Sequence, residues 1–97
     1  MQTETEIQKL IDLLKDPSLV VRSNAADALG DLGDKEAIPY LIPLLKDPSL
    51  VVRSNAADAL GDLGAKEAIP YLIPLLNDSS CIARHSAKQA LDKLQRM

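Results

Sequence analysis

The chain has 97 residues, enough for one compact domain and too few for two. A net charge of −3 and an isoelectric point near 5.0 exclude a strongly basic surface, so we expect no nucleic-acid binding. The acidic, polar opening is not typical of a signal peptide, and no apolar run approaches the roughly 18 residues of a membrane span. Its one cysteine cannot form an internal disulfide. We therefore expect a soluble, cytoplasmic protein without membrane contact.

One block of sequence occurs twice in immediate succession. Residues 15–45 and 46–76 are identical at 30 of 31 positions, the exception being Asp34 and Ala65. The 31-residue register continues into residues 1–14 and 77–97, which match the end and the start of the block. We therefore divide a single domain, 1–97, into a half repeat, two whole repeats and a half repeat. A period of this size is typical of solenoids.

Hydrophobic spacing predicts six helices and no strand. The first helix, about residues 4–14, carries Ile7, Leu10, Ile11 and Leu14 on one face. The second, third, fifth and sixth helices follow at about residues 18–32, 35–45, 66–76 and 80–95. The fourth helix lies one 31-residue period after the second. Two whole repeats and two halves make three antiparallel pairs, about the minimum for a stable stack. The predicted fold is a short right-handed α-solenoid.

Several residues predict where the helices begin and end. Thr3 and Glu6 have the spacing of a capping box. Asp16 can cap the second helix, with Pro17 in its first turn. Gly33 is typical of a left-handed C-terminal cap. Gly30 lies inside a helix, and we expect close backbone packing there.

The third and fifth helices each contain two prolines, and the first helix contains none. The second proline of each pair, Pro43 or Pro74, lies inside its helix and removes a backbone hydrogen bond. We therefore expect these two helices to curve and the first, with Gln8 and Asp12 in the equivalent places, to be straighter. Asp34 is placed to cap the third helix, whereas Ala65 cannot cap the fifth. Replacing Ala65 with Asp is therefore expected to stabilise the chain by about 0.5–2 kcal/mol.

These motifs carry a family resemblance over essentially the whole chain. Asp47-x5-Arg53, Ala56-x2-Ala59-Leu60-Gly61-x-Leu63-Gly64 and the run from Glu67 to Leu76 resemble the HEAT-like repeat found in phycobilisome lyases and many small prokaryotic proteins. The resemblance implies three HEAT-like helix pairs, with the first helix of each pair on the convex side and the second on the concave, partner-binding side. With repeats counted from residue 15, it implies that the first, third and fifth helices form the concave face.

Asp and Arg recur at the repeat period in a pattern that indicates structure rather than catalysis. Each arginine follows an aspartate by six residues: Asp16 and Arg22, Asp47 and Arg53, Asp78 and Arg84. We expect a ladder of structural ion pairs, with anion binding as the less favoured alternative.

The predicted partner surface is centred on the only aromatic residues, Tyr40 and Tyr71. Tyrosine is enriched in binding surfaces, although on position alone it could equally be filler between helices. The full predicted set is Lys9, Lys35, Glu36, Pro39, Tyr40, Pro43, Lys66, Glu67, Pro70, Tyr71 and Pro74.

No motif predicts catalysis, a cofactor or a metal. Cys81 and His85 are two potential ligands at i and i+4, and a zinc site needs four. Cys81 is instead expected to be a small apolar plug. Parallel acidic stripes that include Asp27 and Asp58 do not converge as calcium ligands must. We expect a non-catalytic scaffold that binds a protein or peptide. The alternatives are an accessory factor related to phycobilin lyases and a weakly self-associating mini-solenoid.

Overall fold

The computed structural model describes the backbone of residues 2–97 and the side chains of residues 6–97. Over this range the chain is helical without a strand, and the predicted all-α solenoid is confirmed. Three long helices are α2 (Leu19–Leu32), α4 (Leu50–Asp62) and α6 (Cys81–Gln95). Three short helices alternate with them: α1 (Gln2–Leu13), α3 (residues 35–46) and α5 (residues 66–77). The capping box predicted at Thr3 lies outside the described side chains.

The long helices α2 and α6 begin one residue later than the sequence predicted. Ser18 is the N-cap of α2, and its hydroxyl accepts a hydrogen bond from the Val21 amide at 3.4 Å. Asp16, predicted to cap the helix, instead accepts a hydrogen bond from the Ser18 amide at 2.9 Å and so shapes the loop before it. Pro17 therefore lies outside the helix. Serine provides the helix cap and aspartate provides the loop cap, because both side chains offer acceptors to nearby amides.

Proline divides the second and third short helices into segments of different pitch. Residues 35–46 run as a 3₁₀ turn (Lys35–Ala37), one α-helical turn (Ile38–Leu41) and a second 3₁₀ turn (Ile42–Lys46), and residues 66–77 repeat this. The change of pitch at Ile42 adjoins Pro43, which has no amide to donate to the preceding turn. α1 is one unbroken α-helix, in which the Gln8 side chain donates to Asp12 at 3.2 Å.

The packing assigns each short helix to the long helix that follows it. α1 packs on α2, residues 42–46 pack on α4, and residues 73–77 pack on α6. The described chain is therefore three complete pairs, with boundaries at the loops after Leu32 and Asp62. The period is as predicted, but it does not determine where a repeat begins. The half repeats proposed at the ends are better described as the first helix of the first pair and the second helix of the last pair.

The long helices pack much closer to one another than the short helices do. A Cβ added to Gly30 would lie 2.9 Å from Ala59 Cα, and one added to Gly61 would lie 3.0 Å from Ala90 Cα. The predicted close packing at Gly30 is confirmed. The short helices touch each other at few places and leave a groove between residues 42–46 and 70–75. The concave face predicted on the first, third and fifth helices stays a prediction.

One aliphatic core runs through the three layers. The long helices contribute an alternation of leucine and alanine, for example Leu29, Ala56 and Leu60, each at most 2% exposed in this packing. The short helices contribute Ile7, Leu41 and Leu72, none more than 1% exposed. Alanine between leucines lets neighbouring helices approach within backbone contact, while leucine fills the space between layers. No helix among the described residues is both long and apolar enough to cross a bilayer.

Candidate partner-binding surface

An open groove of about 780 Å³ lies between the second and third short helices. Pro43 lines one wall, and Pro70, Tyr71 and Pro74 line the other. Each of these prolines lies in the first turn of its α-helical or 3₁₀ segment, where its missing amide is tolerated. Four of the eleven predicted partner residues are therefore brought together in one cavity.

All eleven predicted residues are exposed, including Tyr40 at 46% and Tyr71 at 52%. A half-exposed tyrosine is suited to binding, because covering it buries mostly apolar ring surface while the hydroxyl can stay in contact with water. Only the four groove residues are placed together by a shared cavity. The other seven lie elsewhere on the short helices and their loops: Lys9, Lys35, Glu36, Pro39, Tyr40, Lys66 and Glu67. Of these, Lys66 donates through Nζ to the carbonyl oxygen of Met97 at 2.9 Å.

The groove also includes residues that the sequence reasoning missed. Ile42, Leu45 and Leu75 add apolar wall, while Lys46 and Ser79 add polar groups at the rim. Their common signal is position: each lies in or next to a proline-broken turn that faces the equivalent turn of the next repeat. Counting exposed residues on one helix could not find them, because the groove is made by two repeats.

The floor of the groove is formed by Asp47, Arg53 and Asp78, which belong to the predicted arginine–aspartate ladder. Arg22 forms a bidentate pair with Asp47, with Nε to Oδ1 at 3.0 Å and Nη2 to Oδ2 at 3.2 Å. Arg53 reaches Asp78 one repeat later, with Nη2 to Oδ2 at 3.1 Å. Arg22 and Arg53 thus each pair with the carboxylate of the following repeat, 25 residues ahead, rather than with the one six residues before.

The arginines of the ladder also donate hydrogen bonds to backbone carbonyl oxygens in their own loops. Arg53 Nη1 donates to the carbonyl oxygens of Asp47 at 2.7 Å and Pro48 at 3.1 Å, and Arg84 Nη1 donates to that of Asp78 at 2.6 Å. The Arg53 Nε lies 3.1 Å from Asp78 Oδ1, but at an angle that leaves its buried N–H without an acceptor. Among the described residues the ladder therefore ties loop to loop across two repeat boundaries.

Asp78 is held in its ionised form by these contacts. The Ser80 amide donates to Asp78 Oδ2 at 2.9 Å, and together with the Arg53 guanidinium it lowers the pKa of this carboxyl. Burial acts in the opposite direction and is outweighed. The charge arrangement is that of a structural pair and not of a proton donor.

Several carboxylates lie near one another on the exposed face of the long helices. Burial raises the pKa of Asp58, and the nearby charges of Asp62 and Asp27 add to the effect. In the third repeat Lys93 takes the position equivalent to Asp62 and donates to it at 2.7 Å. Asp62 in turn raises the pKa of Lys93, since the pair favours the ammonium form.

The single cysteine and the single histidine lie on the outermost helix and are both exposed. The prediction that Cys81 is a buried apolar plug is wrong, because the start of α6 projects its first two residues into solvent. Within the described part of the chain, no three His, Cys, Asp or Glu side chains are placed to hold a metal ion.

Three solved structures resemble this arrangement of helices. The complex of CpcE and CpcF of phycocyanin lyase from Nostoc sp. PCC7120 matches with a TM-score of 0.87 and 33% identity, over 92% of this chain and 37% of that one. Human deoxyhypusine hydroxylase matches with a TM-score of 0.85 and 26% identity, over 94% and 32% of the two chains. An engineered protein matches with a TM-score of 0.75 and 24% identity, over 91% of this chain and 44% of that one. This match bears on the fold alone.

This chain thus spans about a third of the length of the first two structures that it resembles. A search of curated proteins found no match. A family model for HEAT repeats matches residues 7–92, which covers all three helix pairs. The chain belongs to the HEAT repeat family.

Proposed function

We propose that this chain is a non-catalytic binding module that holds an extended protein or peptide segment in the groove between its second and third short helices. The observation that carries the proposal is the groove itself, an open apolar channel of about 780 Å³ on the surface of a packed solenoid. The proposal keeps the predicted partner class and four of the eleven predicted partner residues, and it narrows the site to the groove between the second and third short helices.

The groove walls are suited to an apolar side chain on an extended backbone. Pro43, Pro70 and Pro74 are rigid, so little side-chain entropy is lost when they are covered. Tyr71 offers a large ring with a polar tip, which can cover an apolar side chain while its hydroxyl remains in water. These are features of surfaces that bind peptides through a small number of anchors.

The floor of the groove is rigid because it is tied on both sides of the repeat boundary. Arg53 joins the carbonyl oxygens of Asp47 and Pro48 to the carboxylate of Asp78, and all three belong to the loops below the groove. A preformed site avoids the free-energy cost of ordering loops on binding. Lys46 at the rim adds one positive charge, which favours a segment with an acidic or carbonyl-rich neighbour to its apolar anchor.

The test is selection of peptides from a random phage-displayed library on the purified chain. Bound peptides are then measured by titration against wild type, Tyr71→Ala and Tyr40→Ala. Tyr40 is the matched control because it has the same sequence context and a similar exposure, yet it lies outside the groove. We expect Tyr71→Ala to weaken binding at least tenfold and Tyr40→Ala to leave it within twofold.

Two results would overturn this proposal. One is a selection in which no peptide is enriched over a surface without the chain. The other is a set of peptides that bind Tyr71→Ala as well as wild type, with both variants folded by circular dichroism.

A second candidate function is an accessory role in bilin attachment or removal, and one observation favours it. The structure that contains CpcE and CpcF of phycocyanin lyase is 33% identical over 92% of this chain. Titration with a bilin, followed by absorbance, separates this function from peptide binding. A saturable spectral shift that survives Tyr71→Ala would favour the second candidate, and a flat titration would favour the first.

A further inference from the structure

The walls of the groove between the second and third short helices are helical turns, whose backbone amides are in use. The Ile42 amide donates to the carbonyl oxygen of Ile38, and the Ile73 amide donates to that of Ile69. The three prolines that line the groove have no amide at all. A partner that binds by adding a strand needs a row of free amides and carbonyl oxygens. This groove therefore recognises its partner through side chains.

The carboxylates on the groove floor are already paired with donors. Asp47 accepts hydrogen bonds from Arg22 through both of its carboxylate oxygens. Asp78 accepts from Arg53 at 3.1 Å and from the Ser80 amide at 2.9 Å. These pairs leave the floor with little capacity to accept hydrogen bonds from the N–H groups of a partner.

The other polar side chains of the groove carry donors. Lys46, Tyr71 and Ser79 line it, and all three are exposed. Each has an N–H or O–H group to donate. A partner suits this groove when it presents carbonyl oxygens to these donors and few N–H groups to the paired floor, because a covered N–H group without an acceptor costs free energy.

A polyproline II segment has this hydrogen-bonding character. Its carbonyl oxygens make no internal hydrogen bonds, whereas those of an α-helix are used within the helix. Each proline in such a segment lacks an N–H group, so it brings no donor that the groove would leave unpaired. Its rings need apolar walls, which Tyr71, Pro43, Pro70 and Pro74 supply.

We infer that the segment held in the groove contains proline and adopts the polyproline II conformation. Its rings pack on Tyr71 and on the prolines of the walls, and its carbonyl oxygens accept hydrogen bonds from the Tyr71 hydroxyl and the Lys46 ammonium group. The inference rests on the proposed peptide-binding function and names the class of peptide.

The test uses two synthetic peptides that differ only in proline. The first has three Pro-Pro-Leu triplets between two glutamates, with both ends blocked. The second has alanine in place of every proline and keeps the leucines and glutamates, so it is free to form a helix or a strand. Both are titrated with the purified chain and followed by fluorescence anisotropy. We expect the proline peptide to bind at least tenfold more tightly, because its bound conformation is preformed.

Tyr71→Phe tests the hydroxyl separately from the ring. The change keeps the apolar surface and removes the donor, so we expect it to weaken binding of the proline peptide about threefold to tenfold. Tyr40→Phe is the matched control, because Tyr40 has the same sequence context and lies outside the groove. It should leave binding within twofold. Circular dichroism establishes that both variants are folded.

The inference is overturned if the alanine peptide binds as tightly as the proline peptide, or if the proline peptide does not bind. It is equally overturned if Tyr71→Phe and Tyr40→Phe bind the proline peptide alike. Library peptides that lack proline but lose affinity in Tyr71→Ala would remove this inference and leave the peptide-binding function standing. A selection without any enrichment would remove both.

Discussion

The two positions at which the repeats differ, residues 34 and 65, show how one side chain acts differently in two copies of a loop. Asp34 accepts a hydrogen bond from the Glu36 amide at 2.8 Å and so caps the turn that follows. Ala65 makes no such bond, because its methyl side chain has no hydrogen-bond acceptor, and it is completely buried. Met97 lies over this loop, and its carbonyl oxygen is held by Lys66.

This difference revises the expected effect of aspartate at position 65. Asp34→Ala should destabilise the chain by about 0.5–2 kcal/mol through loss of a cap. Ala65→Asp, expected from the sequence to stabilise, should instead destabilise or be neutral, because the cap is gained at the cost of burying a carboxylate. Urea unfolding of the two variants measures both effects. A gain for Ala65→Asp above 0.5 kcal/mol would contradict the burial argument.

Asp78 gives the chain a specific dependence on acid. Since folding lowers its pKa, the ionised carboxylate stabilises the fold at pH values above its ordinary 3.8. That stabilisation is lost as the pH falls through the lowered folded value. Asp78→Asn should be less stable than wild type at pH 7, and the difference should shrink toward pH 2. Urea unfolding at several pH values measures the difference, and a constant gap at every pH would contradict the assignment.

At the scale of the element, the arginine ladder joins each loop to the next. Arg53→Leu removes a guanidinium that is 13% exposed and leaves the Asp78 carboxylate without its partner. We expect a loss of about 3 kcal/mol. Arg84→Leu is the matched control, because Arg84 is exposed and donates only to its own loop in the described contacts. Its loss should be about 1 kcal/mol. Equal losses for the two, measured by urea unfolding, would show that the pairing across repeats contributes nothing.

The elements themselves were largely predictable, and the exceptions have local causes. Helical spacing placed all six helices, because leucine and alanine recur with the helical period in every repeat. The start of α2 was predicted too early, since aspartate, proline and serine each offer a plausible helix start and only geometry shows which is used. The partner of each arginine was also missed. The nearest aspartate in sequence is six residues away, whereas the one in contact belongs to the next repeat.

The site was less predictable than the elements, because it depends on how the repeats are paired. Tyr71 and the prolines could be selected from the sequence as exposed and rigid. Their place in one groove depends on how two neighbouring repeats pack, which the spacing within one repeat does not show. The close approach at Gly30 was the signal that the long helices occupy the tightly packed side.

At the scale of the molecule, the middle long helix is the only described one that is covered on both flanks. α4 packs against α2 on one side and α6 on the other. Because stability in repeat proteins is a sum over neighbouring layers, α4 should open least often. Native-state hydrogen exchange should find the slowest amides in α4, and faster exchange in α1 and α6. Slowest exchange in either terminal helix would contradict a stack governed by nearest neighbours.

The near-identity of α2 and α4 has a consequence for how the chain reaches its native state. Both helices carry the same serine, alanine and glycine surface, so a folding chain has two equivalent surfaces on which the next helix pair can dock. At high concentration we expect a helix pair from a second molecule to dock on one of these surfaces, which gives domain-swapped dimers. Refolding by rapid dilution should therefore recover single chains, while refolding from a concentrated stock should trap paired ones.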